Sequence, residues 1–294
     1  MQATSDGEAR PKKAVVVCGP TAAGKSSVAD GLADGLSEVF GGWVPTLVVD
    51  SMQVYAEIPL TTNQARERPA EMVGMVSVEE EWTVARHKEG VEGIISGLRD
   101  VSPFVLDAGT GMYLNAIMLG IPLAPKVSAR HRVEAEMASE GAKDPRRAAR
   151  EEELRLAGHD APRGSVWSGP PIYDAYVIYL RPQRSSLDLR IAGRSEKIAR
   201  DAAQEGETLL SMSPNDSVRQ AVGPREMMLL ASGELGPEEA RDKIAARTRR
   251  LARRQMRWFD KLVRTLPKTT PRAVVETEHG ETKHIMHDIM CSWA

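Results

Sequence analysis

The stretch Ala14-Val-Val-Val-Cys-Gly-Pro-Thr-Ala-Ala-Gly-Lys-Ser26 decides the fold. Its opening is a continuous apolar run rich in β-branched residues, which predicts a strand buried on both faces. Gly19 to Ser26 then follows the spacing G-x-x-x-x-G-K-S, and Val28, Leu32 and Leu36 continue at helical intervals. Strand, glycine loop and helix in that order form a phosphate-binding loop, or P-loop. Glycines let backbone N–H groups turn inward, and the helix N-terminus adds partial positive charge. Lys25 supplies a mobile point charge for a terminal phosphate, and the Ser26 hydroxyl can ligate Mg2+. Gly19, Pro20, Thr21, Ala22, Ala23, Gly24, Lys25 and Ser26 are therefore candidate residues for holding a di- or triphosphate.

Outward from the loop the pattern alternates. Residues 46–49 read as a second buried strand, 81–98 as a helix, 103–106 as a third strand, 109–117 as a helix and 175–180 as a fourth strand. This predicts an α/β fold, a P-loop NTPase-like parallel sheet flanked by helices, with ligands at the C-terminal ends of the strands. The core is expected over 14–121 and 173–266. Between them, 122–172 turns charged, then Gly- and Pro-rich, and reads as a small helical insertion. Residues 1–13 lack an apolar core and read as a disordered tail rather than a secretory signal. Residues 267–294, after Pro267 and Pro271, read as a C-terminal tail; its His284, His287 and Cys291, with His279 upstream, suggest an ordinary terminal helix or disorder more than a metal site.

With 294 residues, 41% hydrophobic and 27% charged, the chain has the composition of a globular protein. Its net charge of −2 provides no global field for a polyanion, so any basic surface must be local. Two cysteines exclude a disulfide scaffold and suit a reducing cytoplasm. No apolar run approaches the ~18–20 residues of a membrane span. A local basic surface does exist: residues 241–272 hold twelve Lys or Arg against two Asp. On a helical wheel Ile244, Leu251, Trp258, Phe259 and Leu262 share one arc, and Arg247, Arg250, Arg254 and Arg257 fall on the other. One face packs and the other offers contacts to nucleic-acid phosphates.

Asp50 ends the second strand, in Asp50-Ser-Met-Gln-Val-Tyr55, at the sheet edge that opens beside the P-loop. A carboxylate there can bind a metal or take a proton from a nucleophile; it can also simply cap a turn. Gln53 suits an adenine edge. Thr110, between Gly109 and Gly111 after the third strand, can donate to a phosphate. His87 sits on a helix beside apolar positions and reads as structural.

Taken together, GPTAAGKS at 19–26, DSMQVY at 50–55, TVARH at 83–87, AGTGMYLNA at 108–116 and ARRQMRWF at 252–259 resemble the isopentenyl transferase family, in particular its members that act on tRNA. Weaker echoes are LDLRIAGR at 187–194 and AVGPREM at 221–227. The resemblance runs over about residues 14–264. It implies transfer of a dimethylallyl group from dimethylallyl diphosphate to N6 of an adenine in the tRNA anticodon loop, with diphosphate leaving. By that resemblance Asp50 is the base. Thr21, Lys25, Ser26 and Thr110 hold the diphosphate or its Mg2+, and Arg190 neutralises the leaving group. Ser51 and Gln53 meet the adenine, while Arg247, Arg250, Arg254 and Arg257 meet tRNA. The insertion grips the tRNA stem-loop, and the enzyme is expected to work as a monomer. The chain departs from the family in lacking His-His-Leu, where Gly74-Met-Val76 stands, and in having Ala108 before Gly109. Alternatives are prenyl transfer to free AMP, ADP or ATP, a P-loop kinase, or a non-catalytic tRNA-binding paralogue.

Overall fold

The computed structural model describes residues 11–121, 123, 127–142, 145–159, 166, 167, 169–276 and 282–294. In chain order the elements are β1 (Lys13–Cys18), α1 (Lys25–Phe40), β2 (Thr46–Val49), α2 (Pro59–Thr62), α3 (Val84–Gly97), β3 (Phe104–Ala108) and α4 (Gly111–Met118). There follow α5 (Ala129–Ala138), α6 (Pro145–Leu156), β4 (Asp174–Leu180), α7 (Arg184–Asp201), α8 (Ala203–Ser211) and α9 (Asp216–Gln220). The chain ends with α10 (Pro224–Ala231), α11 (Pro237–Thr265), β5 (Arg272–Val275) and α12 (Thr282–Ser292).

The five strands form one parallel sheet in the order β2-β3-β1-β4-β5. Both faces of β1 are covered, which is why it reads as unbroken valine rather than as an alternation. Ala14, Val16 and Cys18 join the cluster on one side with Leu106, Tyr179 and Phe259. Val15 and Val17 join the other with Leu32, Leu36 and Ile178. Because β1 has β3 on one side and β4 on the other, the chain leaving it enters the crevice where strand connections diverge, the usual ligand position of such sheets. A third cluster, with Val54, Tyr55, Ile58, Leu209 and Val218, lies under the loop after β2 and holds it on α8 and α9.

Two boundaries differ from the sequence reading. Lys13 already pairs with Asp174 in the sheet, and Lys12 Nζ donates to the Leu98 carbonyl at 2.6 Å, so the ordered chain begins before residue 14. Residues 1–10 lie outside the described residues. The segment from 267 onward is also not a loose tail. Arg272–Val275 adds a fifth strand beside β4, and Ile285 and Ile289 of α12, with Trp293 just after it, are buried against α1. A four-residue edge strand preceded by proline carries almost no pattern, since an edge tolerates the lost donor. In α12 the i, i+4, i+8 apolar stripe is the structural signal; His284, His287 and Cys291 lie on its exposed side. His279 lies outside the described residues. The excursion between α4 and β4 carries α5 and α6, packed on each other. It returns through Val166 and Trp167. The Val166 carbonyl accepts from Asn115 at 2.8 Å, and the Trp167 ring lies 4.5 Å from that of Trp258 on α11.

Candidate active site

The loop after β1 obtains its shape from two residues in the left-handed region, Ala22 at φ 63° and Gly24 at φ 83°. That conformation suits glycine and strains alanine by on the order of 1 kcal/mol. The bond from Ala23 N–H to the Pro20 carbonyl at 3.3 Å closes the turn. Gly19 is needed for close approach: a Cβ there would lie 2.5 Å from the Leu180 carbonyl oxygen. Gly24 caps α1 without any side-chain bond, so the first-turn N–H groups stay available to a ligand. Lys25 folds over the loop, its ammonium 3.0 Å from the Pro20 carbonyl. Burial pushes the Lys25 pKa down, and the carboxylates of Asp107 and Asp50 act against that shift.

Asp50 caps the turn after β2 with one oxygen and turns the other toward Gly109 in the cleft. Oδ1 accepts from the N–H groups of Met52 and Gln53 at 2.8 and 3.4 Å, fixing the turn after β2. Oδ2 faces Gly109, where a Cβ would come within 2.6 Å of it. Only glycine at 109 leaves room for this carboxylate. Burial raises the Asp50 pKa, against the Met52 N–H and the Lys25 charge. A carboxylate so placed is a stronger base than an exposed one. Thr110 accepts from Ser51 N–H at 3.1 Å and reaches the Ser51 hydroxyl at 3.5 Å, so it joins the turns after β2 and β3. Gln53 lines the same cleft, and its Oε1 is buried with no hydrogen-bond partner.

The sequence reading missed four residues here. Arg194, on α7, donates from Nη1 to Thr21 Oγ1 at 2.9 Å and from Nη2 to the Thr61 carbonyl at 3.1 Å. Arg190 also lines the cleft, its Nε donating to the Ser186 carbonyl at 3.4 Å, and Arg194, one helical turn on, bonds to Thr21 of the P-loop. The i, i+4 spacing inside LDLRIAGR was the available signal. Gln255, within ARRQMRWF, accepts from Thr21 N–H at 2.8 Å and donates to the Gly109 carbonyl at 2.9 Å. Thr21 is thus gripped at its N–H by Gln255 and at its hydroxyl by Arg194. Asp107, near the end of β3, accepts from Ser26 Oγ at 2.9 Å and from Arg66 at 2.8 Å. Arg66 gave no sequence signal, because its partners lie far away in the chain.

These groups sit in an open cleft of about 2680 Å3 that runs from Asp30 and Arg66 past the P-loop to α11. Small-molecule sites occupy roughly 300–1,000 Å3, so the cleft has room for part of a macromolecule. Its lining has fifteen Lys or Arg against seven Asp or Glu, the local basic surface that the net charge hides. Arg250, Arg254 and Arg257 are exposed along it. Arg247 is different. It pairs with Glu226, whose side chain is 3% exposed, and also donates to the Gln220 and Ala221 carbonyls. This arginine ties α11 to α10 and to the turn before it, so its role as a free phosphate contact is corrected. Trp258 lies over Gly111, where a Cβ would be 2.2 Å from the indole. His87 is structural, as expected: it is fully buried, with one ring nitrogen 3.0 Å from the Val48 carbonyl and the other 3.0 Å from Trp82 Nε1.

A P-loop facing Asp50 at the switch point of a parallel sheet is the architecture of the P-loop α/β class. The IPP transferase family model matches residues 53–157 and 138–262, and the chain belongs to that family. It is 51% identical over 291 residues to the tRNA dimethylallyltransferase of Rubrobacter xylanophilus, covering 96% of this chain and 99% of that one. To the tRNA dimethylallyltransferase of Rhizobium leguminosarum bv. trifolii it is 30% identical over 281 residues, with 84% and 93% covered. The fold is also that of a tRNA isopentenylpyrophosphate transferase from Bacillus halodurans, at TM-score 0.68, 22% identity and 97% and 98% coverage. It is likewise that of a eukaryotic dimethylallyltransferase acting on tRNA, at TM-score 0.66, 19% identity and 90% and 74% coverage. Among the described residues no helix is long and apolar enough to cross a membrane.

Proposed function

We propose that this prenyltransferase moves the dimethylallyl group of dimethylallyl diphosphate onto N6 of an adenine in the anticodon loop of tRNA. The observation that carries the reading is the position of Asp50 Oδ2, buried beside Gly109 and Lys25 in the basic cleft. The amine attacks the allylic C1, the C1–O bond breaks, diphosphate departs, and the N6 proton passes to Asp50. An adenine amine is a poor nucleophile, and a positioned carboxylate takes its proton as the new bond forms. Lys25, the loop N–H groups and Arg194 meet the charge growing on the leaving diphosphate. Gln53 Oε1, buried and unpartnered, is an acceptor suited to an N6–H of the incoming base.

Mg2+ is the expected cofactor, and the residues present suit it. Ser26 gives its proton to Asp107, so its oxygen remains an acceptor for a hard cation. When bound, Mg2+ supplies positive charge to the diphosphate. The exposed arginines of α11 serve the tRNA backbone, and the α5–α6 excursion serves as the arm that grips the stem-loop. Action as a monomer in the cytoplasm is part of this proposal. Free adenine nucleotides fit the size and charge of the cleft less well. The test is one assay with labelled dimethylallyl diphosphate and, in parallel, bulk tRNA, AMP and ADP. Label should enter tRNA; incorporation confined to AMP or ADP overturns the reading.

A further inference from the structure

The Ser26–Asp107 bond is one part of a larger buried cluster under the P-loop whose other members take no part in the reaction as described. Asp107 is 3% exposed and takes two donors on the same oxygen: Ser26 Oγ at 2.9 Å and Arg66 Nη1 at 2.8 Å. Arg66 in turn grips Asp30 on α1, with Nη2 2.8 Å from Oδ1 and Nε 3.3 Å from Oδ2, and reaches the Ser26 carbonyl at 3.5 Å. Its side chain is 4% exposed. One guanidinium therefore staples the strand that ends the β3 edge to the helix that follows the P-loop.

The arrangement constrains what Ser26 can do. A serine hydroxyl has one proton and two lone pairs. With the proton committed to Asp107, the oxygen is left as an acceptor only. A diphosphate oxygen needs donors and gains nothing from it, whereas a divalent cation needs oxygen lone pairs. Charge points the same way. Two carboxylates and one guanidinium leave the cluster at a formal −1, unfavourable beneath a bare diphosphate and favourable beneath a metal-bound one.

We propose that Asp107, braced by Arg66, is a positioning residue that makes Ser26 a dedicated ligand for the diphosphate-bound metal. This rests on the Mg2+-diphosphate reading of the P-loop given above. Partners behind a metal ligand fix its orientation and raise its basicity, and their loss typically lowers metal affinity by about ten- to a hundredfold. Arg66 prevents the Asp107 carboxylate from rotating away, and it keeps the negative charge of the cluster at one rather than two.

The experiment uses the full chain, Mn2+ as the metal probe and inorganic diphosphate, with free Mn2+ read by electron paramagnetic resonance. Wild type should bind Mn2+ in the presence of diphosphate, and Ser26→Ala should bind it weakly. Asp107→Asn should weaken Mn2+ binding by about ten- to a hundredfold, while diphosphate affinity in EDTA changes by less than about threefold. A purely structural residue would not separate these two readouts. Asp107→Asn leaves Arg66 paired with Asp30; Arg66→Met/Asp107→Asn is measured beside it to remove the brace together with the carboxylate, although it leaves Asp30 without its cation. Circular dichroism checks that each variant is folded, and the double variant should show the same loss of metal. If Ser26→Ala loses Mn2+ while the folded Asp107 variants bind like wild type, the positioning role is overturned and the loop reading stands. If Ser26→Ala also binds like wild type, the metal reading of the P-loop falls, and this proposal with it.

Discussion

Replacing Arg250 and Arg254 by Gln should flatten the salt dependence of tRNA binding, whereas replacing Arg247 by Gln should not. Both kinds of change remove charge from the same face of α11, yet the structure places the side chains in different environments. Arg250 and Arg254 are exposed and line the cleft. Each phosphate they neutralise releases condensed counterions, so each lost contact lowers the slope of log affinity against log salt by about 0.7–0.9. Two lost contacts amount to about 1.4–1.8. Over a fourfold rise in salt, from about 50 to 200 mM, the wild type should then lose roughly tenfold more affinity than the double variant. Arg247 is bound to the buried Glu226, whose Oε2 in turn accepts the Gly223 N–H at 2.9 Å. Truncating Arg247 leaves that carboxylate without its cation. A fully buried pair broken this way costs about 3–5 kcal/mol. The Arg247 side chain is 24% exposed, which reduces the cost to about 2–3 kcal/mol, or a melting point lower by roughly 3–5 °C. The assays are a salt titration of binding to a labelled anticodon stem-loop and a melting curve for each variant. Equal slopes for wild type and the double variant would refute the phosphate role of this face. A flattened slope for Arg247→Gln at an unchanged melting point would refute its assignment to the fold.

Three further outcomes follow from the site. Asp50→Asn keeps the turn-capping oxygen and loses the base, so single-turnover prenyl transfer should fall ~10²–10⁴-fold while diphosphate binding persists. Because burial raises the Asp50 pKa, transfer by the wild type should decline on the acid side starting above the ordinary carboxylate range, and Asp50→Asn should lack that limb. Arg194→Gln removes a fixed cation from the P-loop and should lower kcat by about 10²–10³-fold, with a change in melting point too small to account for it; a near-normal kcat would return the leaving-group role to Arg190. His87 is held neutral by burial, its pKa pushed down to about 4 from 6.5, so the unfolded chain binds a proton that the native one refuses. Stability from this residue is complete above pH 6.5 and drains away as pH falls toward 4, about 3 kcal/mol in all; melting curves across that range should show a slope that His87→Gln lacks.

What the sequence made legible follows from distance along the chain. The P-loop, Asp50 and the turn at Gly109 are local patterns, each needing only its neighbours to be recognised. Asp50 was ambiguous between turn cap and base because both uses call for a carboxylate at a strand end. The structure shows one oxygen capping the turn and leaves the other facing Gly109, where the proposed base would act. Arg66 and Asp107 were invisible for the opposite reason. They are 41 residues apart, and nothing around either marks the other. The edge strand β5 was missed because four residues after a proline hold too little period to register.

The basic face of α11 shows where a pattern stops informing. The helical wheel places Arg247, Arg250, Arg254 and Arg257 together correctly, since all four line the cleft. It cannot divide them, because a wheel describes one helix and the division comes from another. Glu226 on α10 reaches only the turn of α11 that carries Arg247, and a buried carboxylate claims the first cation within range. One turn further on, no buried carboxylate packs among the described residues, and the guanidinium groups of Arg250 and Arg254 remain on the surface of the cleft. The same helix then serves three ends along its length: an ion pair to α10, arginines toward a polyanion, and Gln255 joining the P-loop to the Gly109 turn. Because Gln255 lies directly beside Arg254, and Arg257 follows two positions on, a phosphate backbone drawn onto those arginines bears on the residue that holds Thr21. Under the proposed function, tRNA binding and the geometry of the diphosphate site would then be carried by one helix.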